Sequence, residues 1–446
     1  MNKTPYHKKA ENSDTCTAYL DTIGCVYTVH ILLELKEVPH KNKILKTIET
    51  VSRMYPILKC RFIQSFWRDS WIEARDYSSE KLLEEIIIDN HEICYYKEFY
   101  KKASERLNLQ HDFPLKIIVY RKSSSCLLVI KMHHSLSDGN GCLQFASVFG
   151  KLIFDDRPFE NIAIMNRSFG QLIRSFSMKE FPALFCEALK ENVHPLAIPF
   201  LKPIVKLQQS KPIRPQYLIK RIVIEGHDYS FTRSVARDYK LTINDYLLCA
   251  LLKTSIETRN EFNTSSFLTG TLFTINLRRY QNNNPVTLAN YSSAGICIAK
   301  SKDFLSFSKA ANLVFKASGS IKANYPGIGF MWLAILTDFF RLPSAINRLL
   351  FSTWLFVIKS IARRCLIFSN VGPMDEYLKP FGNKIINTSF LGPFSNLDLP
   401  TLWISGYKDK LTININQICE NQQSLNVLDF IEKRVRYNLL EWAKEQ

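Results

Sequence analysis

The sharpest chemical feature of the chain is KMHHSLSDGNG, residues Lys131 to Gly141. The apolar run Cys126 to Met132 reads as a strand that leads into His133 and His134. A histidine at a strand end projects from a rigid element into whatever cavity lies beyond it. Imidazole, with an unperturbed pKa of about 6.5, is the side chain best matched to removing a proton at neutral pH. Gly139 and Gly141 permit a tight turn and a close approach of backbone or ligand. Asp138 falls where a helix starts, so its carboxylate can satisfy free backbone N–H groups or hold the loop through a partner cation.

Three other readings compete. A histidine pair at a strand end can be purely structural. A metal could draw on His133, His134 and Asp138, but adjacent strand residues point to opposite faces, which argues against one shared ion. A Ser-His-Asp hydrolase would need a nucleophile elbow, and no G-x-S-x-G occurs. Proton transfer by an imidazole is the chemistry this pattern favours.

The elements that would position it follow from periodicity. Tyr27 to Leu35 reads as a strand, Lys41 to Tyr55 as a helix, and Pro56 stops that helix before an alternating strand in YPILKCRFIQ. Ile117 to Tyr120 and Cys126 to Met132 read as two strands joined by RKSSS. From Gly141 to Phe154 the positions Phe145, Val148, Phe149, Leu152 and Ile153 recur at helical spacing. Helical stretches fill Phe169 to Leu189. Between Leu201 and Arg221 three prolines and six basic residues occur with no acidic one, which marks a crossover. A strand at Leu218 to Ile224, a helix near Ile243 to Glu257 and a strand through TLFTINL restart the pattern. The expected organisation is a first lobe over 1–200, a basic proline-rich crossover over 201–217 and a second lobe over 218–446, both lobes mixing strands and helices.

Composition narrows the classes. Of 446 residues, 46% are hydrophobic and 22% charged, which excludes a disordered polymer, a collagen-like fibre and a small disulfide-stapled domain. Eleven cysteines without C-x-x-C spacing form neither a zinc ribbon nor a disulfide framework; Cys126, Cys249 and Cys365 read as small core residues, and a reducing compartment fits. The start, MNKTPYHKKAENSD, has no apolar stretch of the secretory type, so a cytoplasmic protein is expected. With 58 basic against 41 acidic residues the formal charge is +17, which predicts attraction to an anionic partner. No helix-turn-helix, zinc-finger or RNA-binding aromatic signature accompanies it, so nucleic acid is not the expected partner.

Several motifs together resemble the HHxxxDG acyltransferase superfamily, which includes chloramphenicol acetyltransferase, condensation domains, alcohol acetyltransferases and wax ester synthases. Besides His133 to Gly139, YPILKCRF resembles its helix-to-strand junction and HDFPLKIIVY its D-x-P-L strand. LTINDYLLCALL is similar to its T-x-N-D helix, TINLRRY to a strand ending in an arginine, here Arg278, and SNVGP to a stretch that reaches the first lobe. The resemblance spans roughly Asp14 to Leu440.

That resemblance implies an α/β (α+β) fold of two chloramphenicol-acetyltransferase-like lobes with mixed sheets and a tunnel between them. His134 would be the general base in the tunnel. His133, Asp138 and Gly139 would shape its loop, and Arg278 would pair with Asp138. Ser369 and Asn370 are candidates for tunnel or oxyanion contacts, beside a plain loop role. No metal and no permanently bound cofactor is implied; the donor would be an acyl-coenzyme A or an acyl carrier protein thioester. The acceptor would be a small molecule or lipid bearing a hydroxyl. Amide formation by a free-standing condensation-type enzyme is the alternative, and a silent binding protein of the same fold is the competing class. The plant-type DFGWG segment is absent, its counterpart being GPFSNLDLP.

One stretch stands apart, Gly329 to Arg364. Trp332, Phe339, Phe340, Trp354 and Phe356 crowd it, with Arg341, Arg348, Lys359, Arg363 and Arg364 around them. Its strongly apolar run, Leu349 to Ile358, is about half a bilayer span. A core helix pair of the second lobe is the expected reading, and a peripheral contact with a lipid interface is the alternative.

Overall fold

The computed structural model describes residues 6–89, 94–155, 167–168, 170–193, 201–205, 212–281, 287–329 and 342–445. Their strands, numbered in chain order, form three sheets. The smallest pairs His7–Lys9 (β1) with Ser70–Glu73 (β4), and β4 with Cys60–Ile63 (β3). The second is ordered Ile385–Leu391 (β12), Thr28–Leu35 (β2), Cys126–His133 (β7), Leu115–Arg121 (β6) and Leu83–Ile87 (β5). The third is ordered Ser292–Lys300 (β10), Leu268–Asn276 (β9), Leu366–Pro373 (β11), Thr401–Tyr407 (β13), Lys410–Asn421 (β14) and Pro212–Glu225 (β8). Both larger sheets are mixed: β5 runs parallel to β6, and β11 runs parallel to β9 and β13.

Strand β7 reads as an apolar run interrupted before His133 only at Lys131, whose buried ammonium donates to the Glu105 carbonyl at 2.6 Å, because both of its faces are covered. Cys126, Leu128, Ile130 and Met132 pack with Ile44, Ile48 and Val51 of the helix Lys41–Met54 and with Phe145 and Phe149 of the helix Gly139–Phe154. Leu127 and Val129 face the other way, onto Phe99, Leu391 and Ile418. Ile418 belongs to β14, so this back face meets the six-stranded sheet. A central strand with two buried faces has no polar side, which removes the alternation of a half-exposed strand.

Strand β12 ties the two large sheets together. It comes from the last quarter of the chain yet pairs with β2 over Ile385 to Leu391. Asn414 of β14 donates to Ser389 Oγ at 2.6 Å and to the Phe390 carbonyl at 2.7 Å. Asn416 donates to the carbonyls of Gly392 and Pro393. SNVGP also takes part in the crossing: Ser369 and Asn370 lie in β11 of the six-stranded sheet, while Val371, followed by Met374, enters the core around β7.

Two other boundaries differ from expectation. The strand expected from Leu218 begins at Pro212, so Pro212 and Pro215 lie inside β8. That strand is at the edge of its sheet, where a residue lacking an N–H leaves no central ladder bond unmade. Lys206 and Lys211 of the crossover lie outside the described residues. The helical region after Phe169 is described as two helices, Gly170–Ile173 and Phe181–Val193. Elsewhere the local signals hold. Thr242 and Asp245 form a reciprocal capping box at the start of the helix Ile243–Glu261, and among the described residues no disulfide joins any of the eleven cysteines, Cys126, Cys249 and Cys365 being buried.

Candidate active site around His134

Strand β7 ends at His133, which pairs with Thr28 of β2, and the backbone then turns through residues 134–138 into the helix Gly139–Phe154. Asp138 is the N-cap of that helix and accepts from the Gly141 N–H at 2.8 Å. Both glycines are forced by close approach. A Cβ on Gly139 would come within 2.8 Å of Val371 and 2.9 Å of Phe390, and one on Gly141 would fall on the Ser137 hydroxyl and the Arg278 guanidinium.

Arg278 lies at the turn after β9 and reaches Asp138 from the other large sheet. Its Nη1 donates to both carboxylate oxygens, at 2.7 and 2.6 Å, and its Nη2 donates to the carbonyls of Thr287 and Ala289. The Tyr291 N–H donates to Asp138 Oδ2 at 2.7 Å. Arg278 and Asp138 are both buried. Four hydrogen bonds from three groups occupy this carboxylate, so its place is in holding the loop and not in exchanging protons.

His133 and His134 are used differently. His133 is fully buried; its Nε2 bonds Asp21 Oδ2 at 2.6 Å and its Nδ1 accepts from the Ser135 N–H. Asp21 Oδ1 also accepts from the Tyr27 N–H, so one carboxylate fixes both sides of the His134 setting. His134 keeps some accessible surface. Its N–H donates to the Tyr27 carbonyl at 2.8 Å and its ring stacks on Tyr27, centroids 5.0 Å apart. Its Nδ1 lies 3.1 Å from the Asn290 amide nitrogen, and the ring also bonds its own backbone. The Asn290 carbonyl oxygen is taken by the N–H and hydroxyl of Ser292, which sets the orientation of the amide.

Burial pushes the His134 imidazole down to about 4, against smaller upward pulls from Asp138 and its own backbone and a small further push down from His133. It is thus neutral, and able to accept a proton, throughout the physiological range. Where His134 is the base, kcat/KM falls on the acid side near pH 4 and not near 6.5. Stability follows the same sign: the unfolded chain binds this proton first, so His134 removes stability progressively as pH falls from about 6.5 to about 4. A pH–rate profile on a soluble substrate checks the first point, and a limb near 6.5 contradicts the buried, neutral imidazole.

Asn290, Asp21, Asp14 and Arg167 escaped the sequence reading. Arg167 is buried, pairs with Asp14 at 2.6 Å and donates to the carbonyls of Ser135, Leu136 and Leu288. Asp14 is itself held by the Trp71 indole at 2.9 Å. Segment 287–291 is therefore gripped from two sides, by Arg278 on the carbonyls of 287 and 289 and by Arg167 on that of 288. Ser369 and Asn370 are not drawn into this network. The Ser369 hydroxyl accepts from Thr274, and Asn370 donates to Asn244 and accepts from the Gly372 N–H. These bonds brace β11 against its neighbours, and none of them is made to His134.

No protein-family model and no curated protein matches the chain. Solved structures do. The first condensation domain of the CDA synthetase superposes with a TM-score of 0.70 at 12% identity, over 98% of this chain and 96% of that one. Trichothecene 15-O-acetyltransferase TRI3 from Fusarium sporotrichioides gives 0.68 at 11% identity, over 98% and 95%. Polyketide synthase associated protein 5 from Mycobacterium tuberculosis gives 0.58 at 14% identity, over 98% of both chains. Near-complete coverage of whole chains at such low identity is a statement about fold. With two mixed sheets joined by β12 and its histidine loop braced by an arginine from the far sheet, the chain has the fold of these condensation domains and of the acetyltransferase.

Proposed function

We propose that the protein is an acyltransferase that moves an acyl group from a thioester to a hydroxyl of a hydrophobic or lipid-like acceptor, with His134 as general base. The observation that carries this reading is a neutral imidazole, partly accessible, at the end of a buried strand, with every nearby carboxylate already committed elsewhere. Base catalysis at Nε2 requires the ring proton on Nδ1, directed at the residue's own backbone, with the Asn290 N–H donating to the His134 carbonyl and not to Nδ1.

In the reaction, Nε2 takes the acceptor's hydroxyl proton as the oxygen attacks the thioester carbonyl. Collapse of the tetrahedral intermediate breaks the C–S bond, and the imidazolium returns its proton to the departing thiolate. An ester and a free thiol result, with no covalent enzyme intermediate. A neighbour named an O-acetyltransferase favours a hydroxyl acceptor, and an amine would use the same base. A positively charged chain suits donors that are anionic, either coenzyme A or an acidic carrier protein.

The test is thiol release from a panel of acyl-coenzyme A and acyl-carrier donors, each with alcohol and amine acceptors. Acceptor-dependent thiol release with stoichiometric ester is the expected result. Release that no acceptor stimulates, or amide formed in preference to ester, overturns hydroxyl transfer.

A further inference from the structure

The helix Ser344–Ala362 is long and apolar enough to cross a bilayer by length and composition, but its two faces are treated differently. On one face Leu355 and Phe351 pack with Tyr19, Leu20, Cys25 and Tyr27. Asn347 donates to Asn12, and Arg348 donates to both oxygens of the buried Asp69 at 2.7 Å. On the other face Ile346, Leu349, Leu350, Phe356 and Val357 are exposed, Leu349 to 64% and Phe356 to 78%. These positions recur at helical spacing and make one stripe. The core helix pair expected from sequence thus holds for only half of this helix; Trp332, Phe339, Phe340 and Arg341 lie outside the described residues.

A second element extends the stripe. The N–H groups of Ser344 and Ala345 donate to the carbonyls of Trp67 and Phe66, which fastens the loop after β3 to the start of the helix. Phe66 is 60% exposed and Trp67 72%. Charge decides what such a surface fits. The helix contains no Asp or Glu, and the carboxylate of Asp69 is buried against Arg348. Arg68 and Lys359 are exposed. Two copies meeting through this face would set cation against cation, whereas anionic headgroups would meet the cations and acyl chains the aromatic and aliphatic groups.

We propose that loop 64–69 and the outer face of Ser344–Ala362 dock on an anionic lipid surface. The inner face of this helix shares one apolar cluster with Tyr27, the residue stacked on His134, so a docked molecule would take a lipid-borne substrate from that side. Only this last step rests on the acyl-transfer reading; the docking does not.

The experiment is co-sedimentation of the full chain with vesicles of phosphatidylcholine, alone or with phosphatidylserine. The wild type and His134→Ala should bind alike, more strongly with phosphatidylserine, and less as salt rises. Trp67→Glu and Phe356→Glu should each weaken binding by about tenfold or more, because an apolar contact becomes an anion. Trp67→Phe and Phe356→Leu should retain it. Melting temperature and turnover of a water-soluble acceptor should not change, as these side chains are exposed. Wild-type protein that stays off both kinds of vesicle overturns the proposal. So does unchanged binding in the glutamate variants, or a wild-type dimer that Phe356→Glu dissociates. Vesicle binding with no thioester consumed refutes acyl transfer alone, and acyl transfer without vesicle binding refutes docking alone.

Discussion

His134→Ala is expected to lower turnover by about a thousandfold or more while leaving the fold in place. The size follows from the absence of a substitute among the described groups around it. Asp138 is held by Arg278, Tyr291 N–H and Gly141 N–H, and Asp21 by His133 and Tyr27 N–H. The Tyr27 hydroxyl is pushed well above its ordinary range by burial, so it does not supply a base. Folding should survive because the turn is held mainly by other residues: His133, Ser135, Leu136 and Asp138 make its long-range bonds. What the substitution removes is the ring stacked on Tyr27 and its contact with Asn290. The measurement is thiol release beside circular dichroism and a melting curve. Wild-type turnover in a folded His134→Ala protein would sink the mechanism. Lost turnover in an unfolded one would be read again with His134→Gln, which keeps a polar group of similar reach.

The parts legible in sequence were those with a local signal. The strand into His133 and the helix after Asp138 could be read because one is an apolar run and the other a periodic stripe that begins at a capping residue. Arg278 was reached through a motif at the end of its strand, although nothing local to TINLRRY says that its guanidinium meets a carboxylate 140 residues earlier. Asp14 and Arg167 had no such help. An acid in a helix's first turn usually means a favourable dipole, and only the folded chain brings Arg167, 153 residues away, against it. Asn290 was hidden likewise, since its meaning comes from the histidine it faces. Strand β12 was missed because its pairing depends on a partner at least 350 residues earlier, and long-range strand pairing leaves little trace in local periodicity. The proline-bearing start of β8 misled for the opposite reason: the local signal was strong, but an edge position made it harmless.

Arg278→Ala should cost about 3–5 kcal/mol of stability, the range for breaking a buried ion pair from one side. Removing the guanidinium leaves the Asp138 carboxylate buried with only the Gly141 and Tyr291 N–H groups, and it strips the carbonyls of Thr287 and Ala289 of a donor. Arg278→Lys should recover only part of this loss. One ammonium cannot meet a carboxylate and two diverging carbonyls with the planar geometry that the guanidinium supplies. The double variant Arg278→Ala/Asp138→Ala should be less destabilised than the two single variants added together, because no unpaired buried charge remains. Denaturant unfolding of the four proteins gives the coupling, expected at about 1–3 kcal/mol. Strict additivity, or full recovery by lysine, would mean that the pair does not clamp the loop. Activity distinguishes clamping from bulk stability: at temperatures where Arg278→Ala is still folded, a displaced His134 should lower kcat more than it raises KM. The same pair joins the turn after β9 to the start of the helix Gly139–Phe154, so position of the base and cohesion of the two large sheets should weaken together.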